Sequence, residues 1–369
     1  MLFRSYWVLP DVDRYAPEIE RAVSEALHER VSIGRITAHW RGLRAELDLE
    51  DVRLFDEASR VALELPAVHA VVAWRSVLYG SVRLHSLMLD RPDLQVRRER
   101  DGRIVVAGRT LSGASEGSDS STWVLEQPEV LVRNARLAWT DELRGAPTLE
   151  LSAVDLVVRN SGDSHKIALR ATPPAALAST LDLRLDVRGV AGTDVLDWRG
   201  RAFAQLDYVD LAAWKAWIDY PLEVDSGRGA LRLWAGFAER RLTEATADVA
   251  LAQLATRLAP GLPVLEMEAL RGRLSGREQG KRFVLAGRSL EMRLAHEESY
   301  TAGGFDLQWE GPAAVAASEP AATETLATFA PKGEFHAEEL SLEPLVRLAA
   351  FLPVPQARSE EHTSELQSH

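Results

Sequence analysis

Gly113-Ala114-Ser115-Glu116-Gly117 matches the G-x-S-x-G pattern that sets a nucleophilic serine on a tight strand-to-helix turn for acyl transfer. That chemistry needs a buried strand before the serine and a helix after it. Here both flanks are polar, and the pentapeptide lies inside Arg109 to Thr122, a Ser/Gly-rich run without periodicity that reads as a flexible loop. Outside residues 358–369 the histidines are His28, His39, His69, His85, His165, His296 and His336. None has a second His or a carboxylate at the spacing of a zinc-binding helix, and His296-Glu297-Glu298 lacks the closing His. With no cysteine there is no thiolate zinc site and no cysteine nucleophile. No phosphate-cradling glycine run occurs either, since Gly272, Gly276 and Gly280 fall in a turn-rich segment with no helix after them. The expectation is a protein with no catalytic residue, no metal and no cofactor, hence not an enzyme.

The elements that would have to position any site are overwhelmingly strands. Leu181, Leu183, Leu185 and Val187 alternate with Asp182, Arg184, Asp186 and Arg188, which puts four apolar side chains on one face and four charges on the other. The same period of two runs through Ala45/Leu47/Leu49, Val61/Leu63/Leu65, Leu94/Val96, Leu149/Leu151, Val154/Leu156/Val158 and Ile167/Leu169, and continues to Phe305/Leu307/Trp309. Turn residues separate these runs at Arg91-Pro92-Asp93, Arg100-Asp101-Gly102 and Asn160-Ser161-Gly162-Asp163. Helical spacing appears only over 13–30, where Tyr15, Ile19, Val23 and Leu27 recur every fourth residue, and near 211–219 and 342–351. Phe203 to Pro221 and Phe335 to Pro353 share an order of extended segment, short helix and proline, as a repeated module would.

Composition narrows the class. A chain of 369 residues with 46% hydrophobic and 27% charged residues folds, and a mean hydropathy of -0.14 excludes a polytopic membrane protein. A net charge of -12, with Arg interleaved among Asp and Glu, excludes a nucleic-acid surface as a partner. On the order of 15 to 20 strands of ordinary length cannot be covered by three short helices. The sheet therefore folds onto itself, or curls into an open groove whose apolar side is buried against something else.

The two ends resemble a translated sequencing adapter, "MLFRS" at 1–5 and "RSEEHTSELQSH" at 358–369, and are set apart from fold reasoning. Between them the expected organisation is a membrane-proximal stub and amphipathic helix at 6–30 and a first β-groove segment at 31–108. The Ser/Gly loop at 109–122 leads to a second groove segment at 123–310, with a short helix near 211–219. An Ala/Pro linker at 311–332 precedes the start of a further module at 333–357.

Residues 10–54 ("PDVDRYAPEIERAVSEALHERVSIGRITAHWRGLRAELDLEDVRL"), 139–174, 198–221 and 227–251 ("GRGALRLWAGFAERRLTEATADVAL") resemble, in order, the amino-terminal part of the YhdP family of the AsmA-like superfamily. The resemblance implies an elongated, curled antiparallel β-sheet forming an open hydrophobic groove. It also implies phospholipid as the partner, carried in the periplasm between the inner and outer membranes of a Gram-negative envelope, and an inner-membrane anchor that this stretch of chain lacks. A non-enzymatic scaffold for envelope or outer-membrane proteins is the alternative. Candidates for the groove lining are Leu47, Leu49, Val72, Trp74, Leu156, Val158, Leu183, Leu185, Leu233 and Leu285. Alternation by itself leaves open which face of each strand points inward.

Overall fold

The computed structural model describes residues 16–27, 30–41, 44–55, 59–72, 84–106, 109–110, 125–190, 193, 197–219, 223–258, 261–280, 282–294, 299–310 and 333–337. The predicted helix at 13–30 is present as α1 (Ala16–Leu27). Its Ile19 and Val23 pack on a strand core, while Glu20 Oε1 accepts the Ile33 amide at 2.6 Å and Ser24 Oγ accepts that of Val31 at 3.1 Å. Side chains of the helix thus satisfy backbone donors at the start of the sheet.

Everything else of size is strand. The first half comprises β1 (Val31–Ser32), β2 (Arg35–Arg41), β3 (Arg44–Phe55), β4 (Val61–Val72), β5 (Leu84–Asp90), β6 (Asp93–Arg98), β7 (Ile104–Val106), β8 (Arg109–Thr110), β9 (Glu129–Asp141) and β10 (Leu149–Ser161). The second comprises β11 (Ser164–Thr172), β12 (Leu181–Arg188), β13 (Arg199–Asp210), β14 (Glu223–Ala238), β15 (Arg241–Arg257), β16 (Leu265–Gln279), β17 (Arg282–Leu294), β18 (Ser299–Glu310) and β19 (Gly333–Ala337). All nineteen belong to one open sheet. A short helix α2 (Leu211–Trp214), capped by the Asp210 carboxylate accepting the Ala213 amide, stands at the predicted 211–219 site.

From β9 to β19 every strand pairs antiparallel with the next. Two findings depart from the sequence reading. The sheet is mixed: β5 runs parallel to β9 over Leu87–Asp90, and β6 does so over Asp93–Arg98. The chain between β6 and β9 is long enough for the crossover that parallel neighbours require, whereas a tight hairpin would have forced an antiparallel pair. The strands are also longer than expected, with β15 reaching 17 residues. Local irregularities that look like strand ends in the sequence are bulges that bend a strand without ending it.

These irregularities line up. Left-handed backbone occurs at Asp51 in β3, Asn134 in β9, Ala153 in β10, Gly229 in β14, Gln253 in β15, Gly272 in β16 and Ser289 in β17, and register shifts accompany it in β9, β10, β14, β16 and β17. On each strand the site lies to the same side of the sheet's midline, so the local bends they introduce gather along one margin, here called the rolled margin. Beyond that line the side chains are closely packed. Val52, Leu65, Ala135, Val154, Ala171, Val209, Leu254, Met267 and Leu290 are all buried there. Gly229 shows why this line is specific in sequence: its φ is +153° and a Cβ would stand 2.0 Å from the Ala250 carbonyl oxygen. Gly229→Ala is expected to cost about 2 kcal/mol or more, read as faster native-state hydrogen exchange in β14 and β15.

The opposite face is charged, as the alternation requires. Arg273 donates to both carboxylate oxygens of Asp248 at 2.6 and 2.8 Å. Its hydrogen bonds hold the Asp248 carboxyl below the usual carboxylate range against a smaller opposing effect of burial. On the same face the Phe203 and Trp234 rings lie 5.4 Å apart, with Arg184 over Phe203 and Arg273 over Trp234.

Candidate functional site

Because directly opposed residues in a sheet share a face, the registers trace rows across the molecule. One row runs Ala38, Leu47, Ala70, Leu87, Val130, Val158, Ile167, Leu185, Ala202, Ala235, Ala245, Gly276, Leu285, Leu307, Phe335. The row beside it runs Ile36, Leu49, Val68, Leu89, Val132, Leu156, Leu169, Leu183, Ala204, Leu233, Ala247, Leu274, Gly287, Phe305, Ala337. Two residues from each of fifteen strands contribute, and every one is aliphatic, aromatic or glycine. At about 4.8 Å per strand the lane is roughly 65–70 Å long.

Burial along the lane is uneven. At the β2–β4 end Ile36, Leu49 and Val68 are buried in a core that α1 joins through Ile19 and Val23. From β11 to β18 most lane positions, including Ile167, Leu183, Leu185, Leu233, Leu274, Leu285 and Leu307, are only partly buried. No element among the described residues covers them. Contiguous apolar surface of this extent is uncommon on a monomeric protein.

Of the residues picked from the sequence, Leu47, Leu49, Leu156, Val158, Leu183, Leu185, Leu233 and Leu285 all fall in the two rows. Val72 lies two residues past Ala70, beyond a register shift at the end of β4. Trp74 lies outside the described residues, as do Ser115, the second copy of the repeated module after Ala337, His28 and His296.

The fold also assembles groups that no local spacing announces. Asp48 on β3 takes His69 Nδ1 on one carboxylate oxygen and, on the other, His39 Nε2 at 2.5 Å. Burial opposes ionisation of that carboxyl, but the two histidine contacts outweigh it and lower its pKa. His165 is fully buried, stacked on Trp198 at 4.6 Å, with Nδ1 2.7 Å from Asn160 Oδ1 and Nε2 3.2 Å from the Gly189 carbonyl. Only the strand register, which sequence does not display, brings these partners together. No three His, Asp or Glu among the described residues are placed to hold a metal ion, and no helix among them is long and apolar enough to cross a membrane. A shallow hollow of about 370 Å³ lies on the charged face, between Val157, Ala168, Phe203 and Trp234 and a rim of Arg159, Lys166, Arg184 and Arg201. It contains no nucleophile paired with a base.

An open mixed β-sheet with one continuous apolar lane and an opposite face rich in charge defines a β-groove-like architecture. The chain belongs to the YhdP family: the model described as YhdP protein matches residues 2–367. Searches of curated proteins and of solved structures find no match.

Proposed function

We propose that this protein is a lipid-conducting groove of the periplasm, carrying phospholipid between the inner and outer membranes of a Gram-negative envelope. The observation that carries the reading is the unbroken apolar lane, in which no polar side chain interrupts two rows across fifteen strands. Membership of the YhdP family supports it.

An acyl chain moving along such a lane exchanges one aliphatic contact for another, so no step along the path requires burying it against a polar group. Each methylene taken from water contributes about 0.8 kcal/mol, and the half-open lane between β11 and β18 offers the surface for it. No bond is made or broken, and none of the residues acts as an acid, base or nucleophile. Attachment to the inner membrane belongs to this reading.

Native mass spectrometry of the purified chain tests it. Phospholipid-sized adducts that vanish on delipidation are the expected result. A lipid-free spectrum after incubation with phospholipid vesicles would instead favour the envelope-scaffold alternative, in which proteins cover the lane.

A further inference from the structure

The two long margins of the lane are not equivalent. On the margin with left-handed residues, the same-face side chains beyond the lane are packed dry: Ala171 is fully buried, and Val154, Val209 and Leu290 nearly so. Helices α1 and α2 reinforce it, through Ile19 and Val23 on one core and Leu211 on another. A polar group placed there would lose water and find no partner.

The other margin carries the tight turns after β10, β14 and β16. Between β10 and β13 it too is closed, by Trp198 lying on His165 with Val187 buried beside them. From β14 to β17 its described residues are exposed. Leu242, opposite Phe237 on the apolar face, is 50% exposed, Phe237 and Phe283 are only partly buried, and the turn residues Glu239 and Arg240 and the first residue of β15, Arg241, stand in solvent.

We propose that a lipid in this groove is held in one orientation, its chains on the lane and its polar end emerging through the turn-side margin between β14 and β17. This rests on the lipid reading above and adds a direction to it. Among the described residues the rolled margin is packed dry while the turn side between β14 and β17 stands in water, so the polar end leaves over the turn side, with Leu242 and Phe237 as the apolar lip. The amphiphile's own asymmetry, rather than a specific headgroup contact, sets the orientation.

The chain has no cysteine, so single labelling sites are available without other changes. Leu242→Cys marks the open lip, Ala235→Cys the lane, and Met292→Cys, a partly buried position on β17 that packs on the core of the rolled margin, that margin. Each variant carries a bimane dye and is incubated with vesicles of phosphatidylcholine bearing a nitroxide quencher either on the choline or midway along one acyl chain. The acyl label is expected to quench position 235, and the choline label to quench position 242 while leaving 292 unquenched. Arg241→Cys gives a second lip position should the first variant fold poorly. Quenching of 292 by the choline label to the same degree as 242, with 235 still quenched by the acyl label, would overturn the orientation alone. Absence of quenching at every position by either lipid would overturn the lipid reading and the orientation with it.

Discussion

For a lipid-carrying lane, the expected result of replacing Leu183 and Leu185 together with Asp is a fall of about tenfold or more in phospholipid per mole of protein. Both leucines belong to β12, one in each row of the lane, and both are only partly buried when nothing covers them. An acyl chain lying over them would desolvate two carboxylates with no hydrogen-bonding partner. Even a neutral polar group costs about 2–7 kcal/mol in that situation, and about 1.4 kcal/mol already amounts to tenfold. Folding should survive, because neither leucine lies in the packed cores and the β11–β12–β13 ladder is made by backbone groups. Circular dichroism checks the fold, and phosphorus analysis with native mass spectrometry checks the lipid. Methionine at both sites should retain lipid, and so should Arg184→Gln on the charged face between them. Wild-type lipid content in the Asp pair would remove the lane from any account of function.

Asp141→Ala is expected to loosen the parallel seam by about 3 kcal/mol, an increase of about a hundredfold in local hydrogen exchange over β6 and β9. The Asp141 side chain is 2% exposed and stands between Arg98 Nη1 at 3.4 Å and Arg144 Nε at 3.6 Å, while also accepting the Arg144 amide at 3.1 Å. Arg144 in turn donates both terminal nitrogens to Asp219, whose carboxyl its hydrogen bonds hold below the ordinary range. Trp217 Nε1 donates to the Pro147 carbonyl at 2.9 Å, fastening the segment after α2 to the β9–β10 turn. One buried carboxylate therefore ties β6, β9, that turn and the α2 segment. Its removal leaves two guanidinium groups facing each other without the anion between them, which is the costly way to break such a network. Native-state exchange resolves the effect by strand. Protection unchanged in β6 and β9 would mean that backbone pairing alone holds the seam.

The apolar face was legible because alternation is a local covalent property. In any extended chain Leu183 and Leu185 share a side and Asp182 and Arg184 take the other, whatever the neighbours. The Ser/Gly surroundings of Ser115 likewise argued against a nucleophile through local composition. Three contributions of the tertiary structure were not available from that pattern. The pairing of Asp48 with His39 and His69 depends on which residues stand opposite each other across β2, β3 and β4. The parallel β5–β9 and β6–β9 ladders depend on where a long crossover returns the chain. The rolled margin depends on single left-handed residues, such as Ala153, Gln253 and Ser289, whose types do not announce that conformation.

Sequence by itself determined that this protein is made of strands, that each has an apolar and a charged side, and that three short helices could not cover the apolar sides. Local backbone geometry suffices for all of that. Only the tertiary structure decided that the apolar sides join into one lane across fifteen strands, that one margin is packed dry and part of the other exposed, and that Asp141 is buried between Arg98 and Arg144 at the seam. Each of these depends on register between segments distant in the chain, and register is set by the summed pairing of whole strands rather than by any residue's neighbours.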